Sequence, residues 1–500
     1  YLTVQINYLP FWEKPPLFIW MQVLSMKVFG INEFAARFPN AICGIATLLV
    51  LFRVGKRLIG NNFGILWVLV YTGSILPFFY FKSGIIDPWF NLFIFLGVYC
   101  TFKYTLVNQE DKKKLFAVLS GFFIGLGILT KGPVALLIYL LTFGVFSAIK
   151  MFKVKIKFQH IVFFAITLAF IGGFWFILQI LTGNFSIIKE FFVYQIRLLS
   201  TKDAGHGGFF LYHFVILFFG VFPASIFALR SFRREKKEDH EFVHEFKNWM
   251  MILFWTVLIL FTLVKTKIVH YSSLCYFPLT FFGAYIIFKM HENKQTLSRW
   301  MKYLILGISV FWGLIVVGLQ LIVLNKERII ASGLIKDQFA VGNLQADVVW
   351  SGYEFLIGIG FIAGVTLLFC THRLKQDLQI AGTFILTILF TYSTLLFIVP
   401  HIEGYSQHAA IEFYKEKQNE DCYMKTLGFK SYAQLYYFNL KKPANPKAWD
   451  DQWLLSGPID KPVYFVIKNT SSKEYLGKYP QLKVLYEGNG FVFVKRNINE

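Results

Sequence analysis

The side chains best suited to chemistry lie at the ends of this chain's apolar runs. Near the N-terminus, Phe11-Trp12-Glu13-Lys14-Pro15-Pro16-Leu17 sets a carboxylate beside an ammonium. Two prolines follow, then an apolar run from Leu17 to Phe29 that stops at Gly30. Proline suits the first turn of a helix and glycine its end. Glu13 and Lys14 are therefore expected at the mouth of a short helix, where unpaired backbone N–H groups favour an anion. The plainer reading is a charged turn ahead of an amphipathic helix. Further along stand Asp87, in Lys82-Ser83-Gly84-Ile85-Ile86-Asp87-Pro88, and Lys131, in the turn Thr130-Lys131-Gly132-Pro133. The segment 183–208 offers Arg197 and His206, and the segment 265–271 offers Lys265, Lys267, His270 and Tyr271. Ionisable groups at membrane-helix mouths are costly and invite a functional reading. Each has a bland one too: Lys131 can snorkel to headgroups and Asp87 can cap its helix. Singly, Lys131, Lys265 and His270 read that way. Gathered on one face, a basic cluster beside two carboxylates suits a phosphate-bearing amphiphile.

The elements that must gather them are membrane helices. Lysine and arginine number 50 against 29 acids, a formal charge of +21, yet 56% of the residues are hydrophobic and the mean hydropathy is +0.53. That hydropathy excludes a soluble nucleic-acid binder and makes the chain a polytopic α-helical membrane protein. Spans are expected near 37–53, 63–80, 86–105, 115–130, 132–149, 160–182, 209–229, 248–264, 272–289, 303–324, 354–371 and 378–399. Basic clusters such as Arg53-Lys56-Arg57, Lys112-Lys113-Lys114 and Lys150 to Lys157 fall in every second loop. The positive-inside rule puts those loops in the cytoplasm, and every candidate residue on the other side. Much of the surplus charge is thus topological.

Three regions follow: an outer loop with an interfacial helix over 1–36, a transmembrane domain over 37–400, and a small outer α/β domain over 401–500. Leu17–Phe29 is too short to span comfortably and suits the membrane interface. In the last region Tyr405–Lys417 reads as a helix capped by Ser406. Val463–Ile467, Lys483–Tyr486 and Phe491–Val494 read as strands, the last two joined through Gly488-Asn489-Gly490. This domain reads as a lid or docking module. The 325–353 loop is long enough for a mobile cover. Of the five cysteines only Cys422 lies in a polar region, so neither a disulfide framework nor a metal-type pair emerges. The chain opens at Tyr1 without methionine, which points to an upstream segment.

Several motifs together resemble one family. They are Trp12-Glu13-Lys14-Pro15-Pro16-Leu17, Phe29-Gly30-Ile31-Asn32-Glu33-Phe34-Ala35-Ala36-Arg37-Phe38-Pro39, Leu129-Thr130-Lys131-Gly132-Pro133, and Lys265-Thr266-Lys267 running into Tyr271 and Pro278. The family is the dolichyl-phosphate-mannose-type glycosyltransferases of the GT-C fold, on the branch of bacterial lipid A aminoarabinose transferases. The resemblance covers residues 8–290 and is architectural beyond 300. It implies about thirteen spans, one of them upstream of the twelve read here, and a C-terminal periplasmic domain. It implies transfer of a sugar from a polyprenyl-phosphate (undecaprenyl-phosphate) carrier to a lipid A-like or protein acceptor, with inversion, at the periplasmic face of the inner membrane. It also places the main catalytic aspartate shortly before the Glu-Lys-Pro-Pro motif, hence upstream of Tyr1.

Attack on the anomeric carbon expels a polyprenyl phosphate, so negative charge grows on the leaving group and preorganised cations stabilise it. Lys14 and Arg197, with Tyr271 as a neutral donor, are the candidates, and Lys131 and Lys267 belong to the same substrate-binding set. A carboxylate then orients or deprotonates the acceptor, and the resemblance puts Asp87 on that side as the second acid. No cofactor is required, although the resemblance allows Glu13 with His206 to hold a divalent ion. Membrane lipids are expected partners, and nucleic acid is not. Two other classes compete. A lipid-linked-sugar flippase should carry polar groups at mid-membrane and interrupted helices in two related halves, whereas these groups cluster at helix mouths. A catalytically silent membrane partner sits poorly with an intact Glu13-Lys14 and Asp87.

Overall fold

A computed structural model describes residues 3–200, 207–232, 240–371 and 374–498. The chain forms two compact units, 1–309 with 364–391, and 310–363 with 392–500.

The first unit opens with the antiparallel strands β1 (Gln5–Ile6) and β2 (Leu9–Pro10). The chain then passes over Glu13 and Lys14 into α1 (Leu17–Phe29), whose bounds are those marked by Pro16 and Gly30. Gly30 has φ +81°, which L side chains adopt rarely. Leu17 and Trp20 pack against Leu129, Trp175 and Ile187, while Leu24 and Val28 stay exposed. The next helix, α2 (Glu33–Leu58), starts earlier than the expected 37. Asn32 caps it by accepting from the Ala35 amide at 2.8 Å, and Pro39 lies inside the helix.

The span expected over 63–80 is two helices, α3 (Asn61–Thr72) and α4 (Ile75–Tyr80). The break at Gly73-Ser74 has a packing cause. A Cβ on Gly73 would stand 2.7 Å from that of Phe384, and the Ser74 hydroxyl bonds the Val70 carbonyl at 2.7 Å. There follow α5 (Asp87–Leu106), α6 (Glu110–Lys131), α7 (Val134–Ile149), α8 (Phe158–Leu181) and α9 (Phe185–Ser200), the last inside the segment read as an outer loop. The expected 209–229 span is α10 (Tyr212–Gly220) and α11 (Ala224–Ser231), bent by 116°. Then come α12 (Glu241–Leu263), a 3-10 turn (Val269–Cys275), α13 (Tyr276–Glu292) and α14 (Arg299–Leu324). Among the described residues, 7 helices are long and apolar enough to cross a membrane, or 8 if the bent pair counts as one span. By length and composition alone this does not reproduce twelve spans. Val134–Ile149 and Phe355–Cys370 fall short in length. The protein is a multi-pass membrane protein.

Two packing devices position the site. In Gly121-Phe122-Phe123-Ile124-Gly125 the glycines let α6 close on α8: a Cβ on Gly121 would lie 2.5 Å from the Phe164 carbonyl oxygen, and one on Gly125 3.0 Å from the Gly172 nitrogen. Small residues four apart are how membrane helices approach this closely. Gly97 of α5 likewise accepts the tip of Ile124 from α6. On the other flank Trp67, 0% exposed, donates to Thr280 Oγ1 at 3.1 Å and packs edge-on against Phe95, Phe246 and Phe281, tying α3, α5, α12 and α13.

The second unit holds a four-stranded sheet in the order β3-β4-β6-β5: β3 (Tyr423–Leu427), β4 (Val463–Lys468), β5 (Lys483–Gly488) and β6 (Phe491–Arg496). β3 runs parallel to β4, and the other pairs are antiparallel. Three of these strands are those read from the β-branched and aromatic runs, and β3 is an addition. The β5–β6 turn has positive φ at both Asn489 and Gly490, as a tight hairpin of this hand requires. Ser406 does not cap a helix from Tyr405. It ends Val399–Ser406, and the next helix, His408–Glu416, starts after Gln407. Part of the 325–353 loop is not a free cover. Its helix Gln338–Leu344 docks on the sheet domain, with Phe339 5.1 Å from the Phe491 ring, Asn469 donating to the Gln338 carbonyl at 2.8 Å, and Gly342 against Gly490.

Gly121→Leu should destabilise the first unit by about 1–3 kcal/mol through overpacking. Gly144→Ala, inside α7 where nothing lies within 4 Å, should leave the melting temperature of the detergent-solubilised protein no lower, and slightly higher by helix propensity.

Candidate functional site

The site begins where α5 starts and α6 ends. Asp87 is the first residue of α5, followed by Pro88, so its carboxylate sits at the positive end of the helix. Lys131 is the last residue of α6, at the negative end, and Gly132 follows with φ +117° and the Phe191 ring where a Cβ would stand. The two charges meet: Lys131 Nζ lies 2.5 Å from Asp87 Oδ1, with the residues 9% and 3% exposed. The ammonium also lies 5.2 Å from the Phe90 ring centre and 4.9 Å from that of Tyr271, a favourable setting for a desolvated cation. His270 Nε2 approaches the other carboxylate oxygen at 3.7 Å.

Lys131 and Tyr271 open onto a cavity of about 230 Å³ that Lys14 also lines. The rest of its wall is mostly hydrocarbon, including Pro133, Val134, Leu137, Phe192, Ile196, Phe261 and Val264. Lys14 is brought there by α1 and by α9. Its ammonium is 5.4 Å from the Tyr194 ring centre, and the Arg197 guanidinium is 5.1 Å from the same ring. Gln195, also on the wall, donates to the Glu13 carbonyl at 3.3 Å. Four distant stretches of sequence thus converge.

Not every candidate joins them. Lys267 is buried, and its ammonium donates to the carbonyls of Phe261 and Thr262 at 3.0 and 2.6 Å, where it closes the end of α12. Burial pulls its pKa below the ordinary lysine value. Lys265 is exposed. Glu13 is half-buried beside Lys14. His206 lies outside the described residues, so its pairing with Glu13 around a divalent ion is not drawn. Among the described residues no three His, Cys, Asp or Glu side chains gather as a metal would need.

Sequence reading missed the uncharged polar residues that hold this arrangement. Asn40 donates to the Ser83 and Ile85 carbonyls at 2.8 and 2.7 Å, fixing the turn ahead of Asp87. Asn91 donates to the Tyr80 hydroxyl at 2.5 Å and to Ser273 Oγ at 2.8 Å. A signal existed for Asn91, an amide one helical turn after Asp87 inside an apolar run, and for Tyr194, three residues before Arg197 on one helix face.

Residues 13–175 match the family model described as dolichyl-phosphate-mannose-protein mannosyltransferase. An undecaprenyl phosphate-alpha-4-amino-4-deoxy-L-arabinose arabinosyl transferase of Photorhabdus laumondii is 26% identical over 280 residues, 54% of this chain and 48% of that protein. An uncharacterised Aquifex aeolicus protein is 25% identical over 307 residues, 60% of this chain and 66% of that protein. The aligned region thus spans about half to two thirds of these relatives. The fold matches the crystal structures of ArnT from Cupriavidus metallidurans. The form bound to undecaprenyl phosphate gives a TM-score of 0.69 at 14% identity over 99% of this chain and 90% of that one. The apo form gives 0.71 at 15%, over 99% and 89%. Family model, relatives and fold agree with the resemblance read from the motifs, and the fold is the GT-C fold of those structures.

Lys131→Met alone leaves the Asp87 carboxylate buried without its cation and should cost about 3–5 kcal/mol. Lys131→Met with Asp87→Leu should recover most of that loss, since replacing a whole buried pair by apolar residues is close to neutral. Unfolding of the three proteins in detergent, followed by intrinsic fluorescence, checks both.

Proposed function

We propose that this chain is an integral-membrane glycosyltransferase that moves a sugar from a polyprenyl-phosphate carrier to a lipid or protein acceptor at the periplasmic face of the bacterial inner membrane. The observation that carries this reading is the single cavity shared by Lys14, Lys131 and Tyr271, with hydrocarbon walls and the Asp87 carboxylate behind it. A polyprenyl phosphate has these two faces: a chain that gains by leaving water or headgroups for apolar side chains, and an anion that needs fixed donors. The relatives named for undecaprenyl-phosphate aminoarabinose transfer, and ArnT bound to undecaprenyl phosphate, support the same class of donor.

In the proposed reaction the prenyl chain lies along Val134, Leu137, Phe192, Ile196, Phe261 and Val264, and the phosphate lies toward Lys14. The acceptor oxygen attacks the anomeric carbon as the bond to the phosphate oxygen breaks. The departing oxygen takes the electron pair, and Lys14 with Arg197 stabilises its charge, worth about 3–4 kcal/mol per well-placed donor. Tyr271 donates a neutral hydrogen bond. Lys131 pairs with Asp87, and Asp87 orients the acceptor. The base that removes the acceptor proton is assigned, by the resemblance, to an aspartate preceding Tyr1 in sequence. Glu13 supports Lys14, and Lys267 fixes the end of α12 from which Phe261 and Val264 face the chain. No cofactor is required. If Glu13 and His206 bind a divalent ion, a chelator will lower turnover.

The intact protein in detergent, given a radiolabelled polyprenyl-phosphate sugar and a membrane lipid extract, should pass label to a lipid or to protein. Label in lipid selects the glycolipid-modifying branch, and label in protein the O-glycosylating one. Lys14→Ala and Asp87→Ala should each lower transfer by at least about a hundredfold, and Lys14→Ala should do so with thermal stability unchanged. Full turnover in both variants would sink the proposal.

A further inference from the structure

We infer that Asn91 is a positioning residue. Through Ser273 it holds the 3-10 turn that bears His270 and Tyr271 in place against the Asp87–Lys131 pair. This rests on the transfer reading for its kinetic consequence, although the contacts stand independently of it. Asn91 lies one helical turn after Asp87 and is 2% exposed, and Ser273 is 1% exposed. The amide uses both of its hydrogens, one to the Tyr80 hydroxyl at 2.5 Å and one to Ser273 Oγ at 2.8 Å. The Ser273 hydroxyl donates in turn to the His270 carbonyl at 2.5 Å, within the 3-10 turn itself. Its oxygen accepts from Asn91, and it also lies 3.2 Å from the Tyr80 hydroxyl. The three side chains close a ring that joins α4, α5 and the turn.

Their placement matters because of what each element carries. α5 brings Asp87, and the turn brings His270 within 3.7 Å of that carboxylate and the Tyr271 ring within 4.9 Å of Lys131 Nζ. Lys14 and Arg197 sit against Tyr194 on α9, an element with no share in the ring. Loosening the ring therefore displaces the groups around Asp87 and leaves the phosphate-side cations where they are. A small misplacement of reacting groups costs turnover steeply. A merely structural pin would instead move stability, or both kinetic constants together.

The test uses the intact protein in detergent with Asn91→Ala, Ser273→Ala and the double variant. Each single variant should lower kcat by at least about tenfold, with the donor KM within about twofold of wild type. The double variant should lose no more than the worse single one, because both remove the same link. Hydrogen exchange of the peptide 268–276 should be faster in all three and unchanged in the peptide 188–197. Multiplicative losses in the double variant, or wild-type exchange over 268–276, would overturn the proposal. If the wild-type protein transfers no sugar, the transfer reading fails while the exchange experiment still decides the ring. Should Asn91→Ala fail to fold, Ser273→Ala carries both measurements.

Discussion

The ion pair between Lys131 and Asp87 is the constraint around which the first unit is arranged. Two unit charges out of water are costly, and their mutual attraction offsets that cost only when geometry and surroundings are favourable. Here the surroundings are the helix ends. Asp87 lies at the start of α5 and Lys131 at the finish of α6, so each charge meets the helix end of opposite polarity. The rings of Phe90 and Tyr271 face the ammonium. For the two charges to meet, α5 and α6 must be in one register. The glycine contacts of α6 with α8 and of Gly97 with Ile124 hold that register well inside the helices. The position of the charges is set by small residues that never touch them.

Much of this order was legible because local chemistry wrote it. Pro15-Pro16 and Gly30 mark α1 to the residue, since proline and glycine act on the backbone they occupy. Asn489-Gly490 marks its hairpin for the same reason. What could not be read was anything decided by a partner distant in sequence. Lys131, taken alone, reads as a snorkelling cation; its partner is 44 residues away. Lys267 stands in a polar segment that promised a substrate contact, but its ammonium is directed at the carbonyls of Phe261 and Thr262. The segment's composition cannot say which way a four-carbon side chain turns. Gly73-Ser74 carried a break signal that the surrounding hydrophobicity masked. The helix Gln338–Leu344 found its partner in the sheet domain, a contact no single-segment reading supplies.

On the proposed reaction the cavity separates two tasks that one amphiphile demands. Its hydrocarbon wall supplies binding that is equal in ground and transition states, which lowers KM without raising kcat. Its cations must therefore supply the difference. Lys131 is already matched by Asp87, so its charge is largely spent within the protein. On the proposed reaction the developing charge on the leaving group falls to Lys14 and Arg197, gathered on one aromatic face. A phosphodiester donor carries one negative charge, and the polyprenyl phosphate it becomes carries up to two. Cations on the phosphate side therefore meet more negative charge in the leaving group than in the donor. Their attraction strengthens as the glycosidic bond breaks, the condition for electrostatic stabilisation to act on rate as well as on binding.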